Sequence, residues 1–170
     1  MKKLINLSLL TAIALVLALI ETSLPIPIPI PGAKLGLANI IILSVIVLYG
    51  LKEGLTIGIL RSILMILLTG SVTSFFYSFF GALISSIMMY LFYRFVKGLS
   101  LIGVSLIGAF FHNLSQVLVA GFILGNFRIV VYLPFLLFLS IFTGYFVGVA
   151  SIFLTKHLKK IIGKTDRSLK

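Results

Sequence analysis

Apolar residues run almost without interruption through six stretches, residues 4–20, 35–50, 55–69, 75–93, 101–124 and 132–154, and polar residues gather between them. Runs approaching 20 apolar residues match the thickness of a bilayer core. The pattern therefore predicts an all-α integral membrane protein. Its residues 1–155 form a single bundle of six transmembrane helices, followed by a basic tail over 156–170. The second and third runs are short, and Arg61 interrupts the third. They could instead form one re-entrant hairpin, leaving four full spans and the same final orientation. Together they hold enough residues for two traverses, which favours six crossings.

Composition strengthens this reading. Of 170 residues, 61% are hydrophobic and 10% charged, against roughly 25% charged in ordinary soluble domains. Six crossings leave no space for a soluble catalytic or nucleotide-binding domain. The net charge of +11 comes from 14 Lys and Arg set against Glu21, Glu53 and Asp166. Nearly all the basic residues lie between or after apolar runs, so membrane topology explains them and nucleic acid does not. Placing the N-terminus inside puts Lys2, Lys3, Lys52, Arg94, Lys97 and the tail cations on the cytoplasmic face, with Lys34 and Arg128 outside. Both termini are then cytoplasmic. The Lys2-Lys3 start followed by an apolar run is similar to a signal peptide, but no small-residue cleavage site follows, so it reads as a retained first helix.

The connection between the first two runs is unusual. Pro25, Pro27, Pro29 and Pro31 alternate with Ile and end at Gly32. Each Pro removes an amide donor and disfavours helix in the residue before it, so an extended ribbon is expected. It suits a lid across the mouth of the bundle, or a spacer sunk in the interface.

Polar groups in the spans narrow the chemistry. A charge at mid-membrane costs at least about 2.5 to 3.5 kcal/mol on insertion scales, so Arg61 should face the bundle interior, where it binds a ligand anion, pairs with Glu21, or does both. His112 and Gln116 lie one turn apart on the fifth run, with Asn113 offset toward a neighbouring helix. With Lys34 and Asn39 they suggest a net-basic polar pocket, although interhelical bonding could satisfy them too. Small residues recur four apart at Ala14/Ala18, Gly54/Gly58, Gly121/Gly125 and Gly144/Gly148, a spacing that lets helices approach closely and that mostly serves internal packing.

Several chemistries are absent from the sequence. Gly163-Lys164-Thr165 ends like a phosphate loop, but its first Gly position is Leu158. Three scattered acids cannot hold Mg²⁺ on a diphosphate, two His make no metal site, and no Ser lies in a nucleophile elbow. No metal, cofactor or catalytic residue is expected, and the chain is read as a non-enzyme. A carrier working alone as a proton-coupled protein or homodimer, with Glu21 and His112 titrating, is one remaining reading.

Glu21, the string Pro31-Gly32-Ala33-Lys34-Leu35-Gly36-Leu37-Ala38-Asn39, Arg61, Gly81-Ala82 with Ser85 and Met88, Gly103-Val104-Ser105 with Gly108-Ala109, and His112-Asn113-Leu114-Ser115-Gln116 resemble one family over about residues 10–150. It is the Gx transporter family, also described as heptaprenyl diphosphate synthase component I, whose members look like S components of energy-coupling factor (ECF) transporters. The resemblance implies a six-helix subunit in a prokaryotic plasma membrane that captures a small molecule from outside. A vitamin, a flavin, or an isoprenoid or quinone precursor fits that description. A membrane T protein and two cytoplasmic ATPases would supply the energy, with Ala14 and Ala18 docking the subunit to its partner. The family's second description implies instead an accessory subunit of a prenyl diphosphate synthase, which would need a separate Asp-rich partner.

Overall fold

The computed structural model describes residues 2–23 and 36–162, and the described residues contain helices and turns but no strand. Six α-helices follow in order: α1 Lys2–Ser23, α2 Asn39–Tyr49, α3 Leu51–Thr69, α4 Val72–Phe95, α5 Leu101–Leu124 and α6 Leu133–Ile162, the last preceded by a 3-10 turn at Phe127–Tyr132. Among the described residues, four units are long and apolar enough to cross a membrane: α1, α4, α5, and α6 with its preceding turn. Local chemistry sets the boundaries. Ser71 and Ser100 cap α4 and α5 by accepting the amides of Ser74 and Gly103, satisfying donors that a helix start leaves open. Gly70 and Gly125 end α3 and α5 at φ +67° and +61°, a left-handed turn that favours glycine.

The expected boundaries shift in three places. Hydropathy suggests a second helix over 35–50, but Gly36 turns at φ +76° and its carbonyl accepts the Asn39 amide, so α2 begins at Asn39. At 11 residues it is about 16 Å long, roughly half a bilayer core. A single residue, Gly50 at φ +110°, joins it to α3. Lys52 and Glu53, which look like a connection in the sequence, therefore belong to the first turn of α3. At the other end, α6 continues through Lys156 and Lys160 to Ile162, because Lys is a good helix former and the buried stripe of Ser151, Thr155 and Lys159 keeps helical spacing.

Packing follows chain order for most of the bundle. α1 lies on α3, α3 on α4, α4 on α5 and α5 on α6, while α2 touches α1, α3, α4 and α6. α2 therefore occupies the bundle axis. Between Asn39 and Tyr49 at its ends its sequence is apolar all round, as a fully enclosed helix requires, except for Ser44, which bonds the Ile40 carbonyl and reaches the Ser151 carbonyl of α6 at 3.5 Å. Ser151 returns a bond to the Ile40 carbonyl at 3.2 Å.

Most of the small-residue pairs act inside the bundle. A Cβ on Gly148 would sit 2.7 Å from the Ile102 backbone, and one on Gly144 would sit 2.9 Å from that of Leu106, so these glycines bring α5 and α6 into close contact. Gly54 and Gly58 receive Ile46 and Ala82 in the same manner. Ala14 and Ala18 are 0% and 5% exposed and belong to the core, where their small side chains let α1 pack closely on its neighbours. Helical geometry turns the other side of α1 outward, presenting Leu9, Ile13, Val16 and Ile20.

The short joints from α2 onward, and the Glu21–Gly36 bond between the end of α1 and the start of α2, make the helices alternate in direction. The bundle thus has a Lys3 end, which also holds Lys52, Arg94, Lys97, Lys156 and Lys160, and a Glu21 end. At the Lys3 end, Lys3 bonds Glu53 and lies over the Tyr49 ring at 5.8 Å, and Asn6 reaches the Tyr49 hydroxyl at 3.4 Å. α1 is braced there against the α2–α3 joint.

Candidate functional site

Among the described residues, the half-length α2 fills the bundle axis only toward the Lys3 end. The start of α2 marks the depth of the transition. Asn39 shares a cleft with His112 and Asn113, which lie midway along α5, and with Thr143 of α6. This cleft is narrow, with a volume of about 10 Å³, and Gly36, Met89 and Ser105 also line it.

Glycine contacts fix the relative heights of the surrounding helices. Gly58 of α3 meets Ala82 of α4, and Gly81 of α4 seats the His112 ring so closely that a Cβ there would lie 2.7 Å from Cε1. One helical turn toward the Glu21 end from this level come Arg61 and Ser62 on α3, Tyr77 and Ser78 on α4, and Ser115 and Gln116 on α5. All of them are buried. Arg61 and Gln116, 4% and 1% exposed, are thus buried on helices separated by α4, one turn beyond the residues that line the cleft.

Hydrogen bonding divides this set by role. The Asn113 side chain donates to the Leu136 carbonyl of α6 at 3.1 Å, making it an interhelical strut as well as part of the cleft wall. Ser62 donates to the Gly58 carbonyl within its own helix. By contrast, Arg61 Nε and Nη2, both polar atoms of the Gln116 amide, Asn39 Oδ1, and the Ser105 and Ser115 hydroxyls have no hydrogen-bond partner. Groups buried in this way cost about 1 to 3 kcal/mol each, and more when charged, so each calls for a partner that the surrounding helices do not supply.

Glu21, 3% exposed, stands at the end of α1, where its Oε1 accepts the Gly36 amide at 2.5 Å. A carboxylate at the start of α2 complements the positive end of that helix. Glu21 also acts electrostatically on Arg61, but the ion pair within 4 Å among the described residues is Lys3–Glu53. Nε and Nη2 of Arg61 stay without hydrogen bonds.

The structure thus brings Asn39, His112 and Asn113 into one cleft and sets Arg61 and Gln116 one turn above it, with Glu21 at its rim. Lys34 and the expected lid, Pro25, Pro27, Pro29, Pro31 and Gly32, lie outside the described residues. Sequence reading missed Ser105, Ser115, Met89 and Thr143, since small hydroxyls and Met are ordinary in apolar helices. It also missed the Gly36 amide, whose role depends on the turn before α2. No group of His and acidic residues able to hold a metal occurs among the described residues.

Comparison with known proteins agrees with this architecture. A solved structure described as "Structure and mechanism of the S component of a bacterial ECF transporter" superimposes with a TM-score of 0.75 at 23% identity, covering 96% of this chain and 98% of that one. At that identity the likeness establishes a shared fold. No curated protein matches this sequence. A family model matches residues 10–154, and the chain belongs to the family described as heptaprenyl diphosphate synthase component I.

Proposed function

We propose that this chain is the substrate-binding subunit of an ECF-type transporter. It would take a small anionic molecule into the axial space above α2 and pass it inward with the help of a T protein and two ATPases. The observation that carries this reading is the pairing of buried Arg61 and Gln116, neither of them hydrogen-bonded through the named atoms, with a cleft at the start of a half-length helix. A static core has no use for such an arrangement, whereas a binding site does. The S-component fold supports the role. The cations at the Lys3 end favour that face as cytoplasmic, which puts the cleft mouth outside and both termini inside in a prokaryotic cell membrane. Binding, with no catalytic step, is the activity proposed.

The family's description also supports a second reading, an accessory role in prenyl diphosphate synthesis. Affinity purification of the tagged chain from its native membranes, followed by mass spectrometry, separates the two. A T protein with ATPases, and ATP-dependent uptake on reconstitution, is the expected result. Recovery of a soluble prenyl synthase without ATPases would overturn it, and uptake by the chain alone would point to an independent carrier.

A further inference from the structure

The chemistry of the unpartnered atoms specifies more than an anion. Nε and Nη2 of Arg61 lie on one edge of the guanidinium and form a two-pronged donor fork that matches two oxygens of a carboxylate or phosphate. Both are without hydrogen bonds, so that edge is intact. Gln116 presents a different pattern. Its Oε1 and Nε2 are both unpartnered, giving an acceptor and a donor side by side in one plane. The group that satisfies both at once has the reverse pairing, an N–H beside a C=O, as in a lactam, an imide or a primary amide. Asn39 Oδ1 adds an acceptor in the cleft one turn away.

We infer, resting on the binding role proposed above, that the cargo is a compact molecule carrying an oxyanion and a separate planar amide-type edge. Arg61 takes the oxyanion through its Nε–Nη2 fork, and Gln116 reads the edge. A purely hydrocarbon chain with a diphosphate head would leave the Gln116 amide unsatisfied, and a neutral lactam would leave the Arg61 fork unsatisfied. Each omission carries the cost of a buried, unpaired polar group, and this is how sites of this kind reject analogues.

The test is a thermal-shift titration in mild detergent with four probes. Orotate has a carboxylate and a lactam edge, uridine 5′-monophosphate a phosphate and the same edge, uracil the edge alone, and benzoate a carboxylate alone. The wild-type protein should bind orotate or uridine monophosphate at least tenfold more tightly than uracil and benzoate, and the better of the two identifies the oxyanion. Arg61→Lys keeps the charge but loses the fork, so it should lose the preference over uracil. Gln116→Met should lose the preference over benzoate. Each preference is a ratio measured on one protein, so a change in stability cancels. Equal binding of all four probes, binding of none, or variants that keep both preferences would overturn the inference. The transport reading is scored separately. Co-purifying ATPases with no probe preference would remove the ligand class alone, and a clear preference without ATPases would remove the transport reading alone.

Discussion

The carboxylate of Glu21 accepts the backbone amide of Gly36 across 15 residues of chain. α1 and the turn that starts α2 are thereby fastened to each other at the rim of the cleft. Gly36 holds a positive φ of +76° there, and a Cβ on it would lie 2.9 Å from Nδ2 of the Asn39 side chain. The clamp therefore also positions a residue of the cleft wall.

Removal of this clamp should be visible in stability. A hydrogen bond to a buried carboxylate contributes about 1.5 to 3 kcal/mol, so Glu21→Ala should lower the thermal midpoint in detergent clearly. Glu21→Gln, which keeps an acceptor oxygen, should lower it less. Equal midpoints for wild type and Glu21→Ala would show that the clamp does not hold α2.

The core position of Ala14 leads to a second expectation. Leu at this site must force its way between α1 and its neighbours, and overpacking of this kind typically costs about 1 to 3 kcal/mol. Ala14→Leu should therefore unfold at lower temperature, and any fall in transport should accompany that loss. Val16→Leu, on the exposed side of the same helix, should leave stability unchanged. A normally stable Ala14→Leu protein defective only in partner recovery would assign Ala14 the docking role instead.

The sequence displayed much of this architecture, but only in part. The apolar runs mark α4 and α5 well because each is a single long helix with a Ser cap that announces its start. They cannot show that α2 is a half-helix, since an apolar residue in the descending turn looks the same as one in a helix. The polar candidates were visible because charged and amide side chains are expensive in a bilayer, which singled out Arg61 and Gln116. Their division into struts and unpartnered groups was not visible. Asn113 and Gln116 are both amides on α5, and only the position of the Leu136 carbonyl separates their roles. Ala14 and Ala18 show the opposite weakness, because four-residue spacing identifies a helix face without saying which way it points.

At the Lys3 end, the bond from Lys3 holds the Glu53 carboxyl below the usual carboxylate range, against a smaller opposing effect of burial. A depressed folded-state value means that the contact stabilises the protein above the ordinary carboxylate pKa and is lost as pH falls through the lowered one. The pair is substantially exposed, so its contribution is small. Wild type should lose a little more stability than Glu53→Gln on acidification from neutral pH to below the carboxylate range, and added salt should shrink the difference. An identical pH profile for the two proteins would show that the bond contributes nothing in solution.

The central claim is that the buried polar groups beside α2 are kept for binding at the expense of stability, and Gln116→Met tests it most directly. An unsatisfied buried amide replaced by an apolar side chain of similar shape should leave the fold as stable or stabilise it. Ligand-free wild type and variant are to be compared by thermal unfolding in mild detergent, alongside mass-spectrometric measurement of the small molecule each retains when purified from its native membranes. The account predicts a variant midpoint equal to or above that of wild type, with retained ligand reduced at least tenfold. A lower midpoint with ligand retained as in wild type would contradict it, and would make Gln116 part of the scaffold.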